Sequence, residues 1–350
     1  MTVQLLHPQS IMLLNNGGVL VNIAANNNRP PAPAPRSWEN TDGRPSWSPD
    51  GTKVVGELGR SSVVIDRQDK TILSTVGPEG KWVHSPDWSP DGSRILYSTY
   101  AKHNDYPVSS WGIYSSKPDG SDAKLLAVDG WEAEYNPQGD RIAYQLTKGH
   151  TADTIMLMDP DGENEKPITK GGIAQRDFSW SPGGHQVAYD TFHVDVYQIR
   201  VTDITGTKDR KITDGDSGIW VDRNPEWSPD GKSILFERHD KLYPVNGLST
   251  VDPQTRTEKE IMQPDARNLD ATWSPDGSKI AFCSNRDGGP DLDLFVMNSD
   301  GTGIKQVTDM TGNEHAPSWS PDGKALAFNR LDHFAEGDDR YGLHIVELSD

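Results

Sequence analysis

Apolar and polar residues alternate along this chain in short runs. In one stretch Ile280 and Phe282 point one way from their neighbours, Leu292–Asn298 forms the next run, and Ile304–Thr308 forms the last. A period of two predicts β-strands. Turn residues separate the runs. Trp273 ends the strand before them, and Pro275, Asp276 and Gly277 follow it with a fixed φ, a side chain that bonds its own backbone, and freedom for positive φ. Ser299-Asp300-Gly301 makes a second tight turn. The unit therefore reads strand, turn, strand, loop, strand, turn, strand.

This unit recurs. PSWSPDG (Pro45 to Gly51), PDWSPDG (Pro86 to Gly92), AEYNPQG (Ala133 to Gly139), FSWSPGG (Phe178 to Gly184), PEWSPDG (Pro225 to Gly231), ATWSPDG (Ala271 to Gly277) and PSWSPDG (Pro317 to Gly323) follow one another at 41 to 47 residues. A module of about 45 residues with four short strands cannot bury its apolar faces alone and must stack on copies of itself. The closed solution is an all-β, seven-bladed β-propeller of four-stranded antiparallel blades. The repeat aromatics Trp47, Trp88, Tyr135, Trp180, Trp227, Trp273 and Trp319 are expected between blades, as core.

The seventh copy has a second strand (Ala325–Asn329) and a third (Leu343–Leu348), and then the sequence ends at Asp350. An N-terminal strand is expected to complete this blade. Val19–Ala24, alone or paired with Ser10–Leu14 through an Asn-Asn-Gly-Gly turn, is the first choice, and Thr2–Leu6 the second. The expected organisation is a closing strand or hairpin in residues 1–28, a stiff Pro-rich linker in 29–43, and the propeller in 44–350, all one domain.

Composition changes this picture little. Apolar residues make up only 33% of the chain, which thin blades with exposed outer strands tolerate. A formal net charge of −18 disfavours nucleic acid, whose binding rests on Lys/Arg neutralising phosphates. No stretch is apolar enough to insert in a membrane, and a monomer is expected. The single cysteine, Cys283, permits no internal disulfide. The N-terminus lacks a basic segment before its apolar run, which points to the cytoplasm as it stands, or to the periplasm or exterior if a leader has been removed.

The W-S-P-D-G repeats, five of them intact, together with Phe295-Val-Met-Asn-Ser-Asp-Gly301, resemble the TolB-like propeller family and its WD40-like repeat over residues 44–350. Blade three (Tyr135, Asn136, Gln138) and blade four (Gly183) depart from the pattern. The resemblance implies a propeller that binds proteins or peptides. More distantly it extends to the oligogalacturonate lyases, in which histidines hold a metal at the propeller funnel. No G-x-S-x-G nucleophile segment, which a prolyl-peptidase-like reading would need, occurs in the sequence.

Propeller topology sorts residues by face. Loops between second and third strands, and those leading from one blade to the next, share one face; the tight turns share the other. Seven of the ten histidines fall in the first set: His84, His103, His150, His193, His239, His315 and His333. The same face takes Trp82, Trp111, Trp131 and Trp220, with Arg176, Arg223 and Arg286. Aromatic rings beside arginines suit stacking on sugars or peptide side chains while pairing carboxylates. The expected ligand-binding set is therefore Trp82, His84, Trp111, Trp131, Arg176, Trp220, Arg223, His239, Arg286 and His315, with a protein, peptide or oligosaccharide as ligand. Residues four before each repeat aromatic (His84, Trp131, Arg176, Arg223, His315) are expected nearest the channel mouth. A divalent metal (Ca, Mn or Zn) held there by His84, His239 or His315 with a carboxylate would support a rival activity, elimination or hydrolysis on an acidic oligosaccharide. No catalytic residue can be assigned by motif.

Overall fold

The computed structural model describes residues 11–13, 19–21, 43–102, 109–146, 154–170, 174–193, 196–215, 220–332 and 341–348. Among them lie seven antiparallel blade sheets in chain order, a separate two-stranded sheet and no helix. Blade two is representative: Val83–Trp88 innermost, then Ile95–Lys102, Ser109–Ser116 and Lys124–Val128 at the outer edge. Blades one to six each have four strands, and the seventh has three, Asn313–Trp319, Ala325–Leu331 and Tyr341–Glu347.

The W-S-P-D-G motif works as a hydrogen-bonded unit. In the first copy Ser48 Oγ donates to Asp50 Oδ1 at 2.6 Å and accepts from the Lys53 N–H at 2.9 Å, so one serine joins the turn to the start of the second strand. Asp50 also accepts from the Thr52 N–H at 3.0 Å, and its carboxyl is pulled down to about 2 by these bonds, that to Ser48 first. The same pairs recur as Ser89–Asp91, Ser228–Asp230, Ser274–Asp276 and Ser320–Asp322. In blade three Asn136 replaces the serine and accepts from the Asp140 and Arg141 N–H groups, which conserves the geometry with a different residue. The turn glycine has φ near +70°, and a Cβ added to it would stand 3.5 Å from the turn proline of the preceding blade: Gly92 from Pro49, and Gly51 from Pro321. A side chain there would be strained by the backbone alone.

Hydrophobic cores lie between blades. Val55, Val64 and Val76 of blade one meet Val83, Trp88, Ile95 and Tyr97 of blade two, and each of the other six seams has a buried cluster drawn from both its neighbours. The repeat aromatics sit in these seams as the sequence predicts; Trp47, Trp88, Trp180, Trp227 and Trp319 are all buried.

The seam between blades seven and one closes the ring. Trp47 Nε1 donates to the Ser318 carbonyl at 3.0 Å, and Asn329 Nδ2 to the Gly43 carbonyl at 2.9 Å. On the turn face Arg67 lies over Trp47, grips Glu347 with two bonds of 2.9 and 2.7 Å, and reaches Asp322 at 3.0 Å. Ile11–Leu13 pairs antiparallel with Val19–Val21, which runs beside Tyr341–Glu347 but is not a member of its sheet. The rest of residues 1–28 and the linker up to residue 42 lie outside the described residues.

Arg67→Ala should therefore lower stability by about 1–2 kcal/mol, read from the urea midpoint, because a bidentate, partly buried pair is lost with its packing. The Arg67 bond holds Glu347 below its ordinary 4.5, so this contribution is present above that value and fades as acid protonates the carboxylate. An unchanged midpoint at neutral pH would remove Arg67 from the closure.

Candidate ligand-binding face

The channel wall is built by a bulge in the innermost strand. In blades two to seven the pairing with the second strand slips just before the repeat aromatic, for example between His84 and Asp87 and between Trp131 and Ala133. The residue third before the aromatic is left-handed at all six bulges: Ser85, Glu132, Asp177, Asn224, Asp270 and Ala316 have φ of 28–56°. Such backbone costs about 1 kcal/mol or more per residue and needs outside support. The preceding blade supplies it at three seams. Glu57 Oε1 accepts the Ser85 N–H at 3.1 Å, Glu237 Oε1 the Asp270 N–H at 2.7 Å, and Asp270 Oδ2 the Ala316 N–H at 3.0 Å.

The bulge shifts the channel lining by one position from the sequence expectation. In blades two to five the wall comes from the three residues before the aromatic, in blade six from Asp270, in blade seven from Ala316 and Ser318 with Trp319, and in blade one from Gly43–Trp47; His84, Trp131, Arg223 and His315 are not among the lining residues. The cavity is about 530 Å³ and carries six carboxylates, Asp87, Glu132, Glu134, Asp177, Glu226 and Asp270. Against them stands Arg44, whose guanidinium bonds Glu226 at 2.6 Å and so ties blade one to blade five. Crowding raises the acids: burial, then the charge of Asp87, pushes Glu134 up to about 8, and burial pushes Asp87 up to about 6. Burial works against the charge of Asp270 too, but bonds from His315 and the Ala316 N–H hold it below the usual carboxylate range.

Four of the expected residues come together on the loop face of blades two and three. The His84 ring stacks on Trp82 at 5.5 Å and meets Trp111 and Trp131 at 5.4 Å each. Trp111 and Trp131 are in edge contact at 4.2 Å, and Tyr100, 48% exposed, extends the group from Trp111 at 5.6 Å. Two residues explain why the cluster forms here. Gly130 opens the third blade's inner strand, and a Cβ there would stand 2.7 Å from Ile113, so glycine lets Trp131 approach. Glu57, buried within the apolar run Val54–Leu58, holds His84 Nδ1 at 3.1–3.2 Å and fixes the ring among the indoles. Trp131 and His84 are buried; Trp82 and Trp111 are half-buried and Tyr100 is exposed, so those three present ring surface to solvent.

The remaining expected residues are distributed over other seams. Arg223 lies over Tyr197 at 4.3 Å. Trp220 opens its blade's inner strand opposite Asp240. Arg286 pairs with Asp265 at 3.0 Å, His239 with the buried Glu237 at 2.8 Å, and His315 with Asp270 at 3.6 Å. Arg176 lies in the inner strand Ala174–Trp180, but its side chain is outside the described set, as are those of His103, His150, His193 and His333. The three proposed metal ligands thus have separate carboxylate partners, and among the described residues no group of three His, Cys, Asp or Glu is arranged to hold a metal ion. The donor set does not fit the expected cation, and no chemical step is derived through one. Sequence reasoning missed Glu57 and Glu237. Their signal was a carboxylate inside an apolar strand, at the same place in two repeats.

The sequence profile described as "PD40: TolB beta propeller domain" matches residues 139–333, more than half of the chain. A Bacillus subtilis (strain 168) protein described as "Uncharacterized peptidase YuxL" is 28% identical over 139 residues, 38% of this chain. The chain spans about a fifth, 20%, of that relative's length. Among solved structures, an oligogalacturonate lyase of Vibrio parahaemolyticus superimposes with TM-score 0.71 at 13% identity, over 97% of this chain and 96% of that one. TolB from Acinetobacter baumannii gives 0.54 at 18% identity, over 84% and 76%. These two likenesses are of fold.

The raised Glu134 carboxyl has a consequence for stability. Its folded value, about 8, lies above the ordinary 4.5, so its stabilising contribution is complete below the latter and lost as pH rises through the former. Glu134→Gln should match the parent at pH 4 and exceed it at pH 9 by on the order of 1 kcal/mol, about 1–2 °C in thermal midpoint. A variant less stable than the parent at pH 9 would contradict the assigned environment.

Proposed function

The chain belongs to the TolB β-propeller family, and from that premise we propose that it is a binding module whose ligand, a peptide, a protein or a glycan, docks on the loop face at blades two and three. The observation that carries this reading is the convergence of Trp82, His84, Trp111 and Trp131, with Tyr100 at the margin. Large rings on an acidic, otherwise polar surface are costly to leave in water, and centred clusters of this kind supply most of the energy of an interface. Rigid seams below hold the rings in place, so little ordering entropy opposes binding. The rival reading, metal-assisted cleavage of an acidic oligosaccharide, has no donor group in its favour among the described residues.

The exposed rings allow a test that spares the core. On arrays of immobilised peptides and oligosaccharides, Trp82→Ala and Trp111→Ala should each weaken binding by about tenfold, with a thermal midpoint close to the parent. Retention of full affinity by both variants would place the binding face elsewhere.

A further inference from the structure

We propose that the occupant of this aromatic face is a cationic peptide segment, with a lysine or arginine side chain laid on the exposed Tyr100 and the half-buried Trp111 rings and a neighbouring cationic side chain directed into the mouth of the acidic channel. The proposal rests on the binding-module reading and specifies its partner.

Three observations carry it. The first is continuity: the residues that hold the rings and those that line the channel follow one another on the same inner strands. His84 precedes Ser85 and Asp87, and Trp131 precedes Glu132 and Glu134. The buried His84 and Trp131 thus join the accessible rings, which they touch, to the acidic wall that follows them in the chain. The second is charge. Among the described residues six carboxyl groups line the channel, five of them besides the raised Glu134, against the guanidinium of Arg44, itself bonded to Glu226, in a chain of net charge −18. A segment carrying carboxylates, or an acidic sugar, is repelled by that field, and a neutral sugar gains nothing from it, whereas a cation gains from both the field and the ring faces. The third is that the molecule uses this chemistry internally. Arg60 Cζ lies 5.3 Å from the Trp82 ring, and Arg44 reaches across the channel to Glu226. Each is a guanidinium of the chain itself held by one half of this chemistry, a ring face or a channel carboxylate.

The experiment uses the full chain and four defined ligands: a blocked nonapeptide of alternating lysine and phenylalanine, its glutamate counterpart, a neutral cello-oligosaccharide and an oligogalacturonate. Calorimetry and indole fluorescence report binding. The lysine peptide should bind, the glutamate peptide should bind at least tenfold more weakly, and raising NaCl from 50 to 300 mM should cost the lysine peptide about tenfold. Trp111→Ala and the paired Glu132→Gln/Asp177→Asn variant should each weaken it several-fold, with circular dichroism confirming the fold. The first two readouts need no variant and stand if a variant fails to fold. Equal binding of the glutamate peptide, or salt-insensitive binding, would overturn the cationic assignment and leave the binding module intact. Trp111-dependent binding of an oligosaccharide with neither peptide bound would overturn the peptide and again leave the module. Lysine-peptide binding unaffected by both variants would overturn the location, and no binding by the lysine peptide would overturn the inference outright.

Discussion

No blade of this propeller owns a hydrophobic core. Each of the seven buried clusters among the described residues is drawn from two adjacent blades, so a blade's apolar faces are satisfied only when both neighbours are present. Stability is consequently a property of the closed circle. The seam between blades seven and one is spanned by the longest sequence separation, with Asn329 and Gly43 lying 286 residues apart. Its polar fastening by Arg67, Glu347, Asp322 and Asn329 supplements the shared core of Trp47, Val54, Leu343 and Ile345.

The same constraint shapes the channel and the proposed binding face. Inner strands crowd around a central channel, and the bulge before each repeat aromatic relieves that crowding by turning one residue left-handed. Carboxylates of the preceding blade stabilise three of these bulges, and all three, Glu57, Glu237 and Asp270, also pair with a histidine. A device that holds seams together therefore also sets the chemistry of the channel mouth. Position five before the aromatic distinguishes sectors. In blades four, six and seven it is Gln175, Asn268 and Glu314, each bonded to the backbone of the preceding blade. In blades two and three it is Val83 and Gly130, and there the indoles gather.

Burial of carboxyl groups in the channel has an electrostatic cost that Arg44 offsets only in part, since its bond is to Glu226 while burial, and for Glu134 the charge of Asp87 as well, keeps Glu134 and Asp87 raised. A ligand of opposite sign would complete what Arg44 begins. That links the acidic composition, which carries no information about fold, to the choice of partner.

The amino-acid sequence by itself determined the blade count, the strand order and the role of W-S-P-D-G, because these are local: a period of two, a turn residue at a fixed offset, and an aromatic recurring at 41 to 47 residues. It also placed Trp82, His84, Trp111 and Trp131 on one face, since strand direction alone fixes which end of a blade a residue occupies. Which rim residues touch was decided only by the tertiary structure. Trp82 meets His84 across two positions, yet Glu57 meets His84 across 27, and Arg44 meets Glu226 across 182. Those meetings depend on the angle between blades and on the slip at each bulge, and both are set by how all seven modules close together.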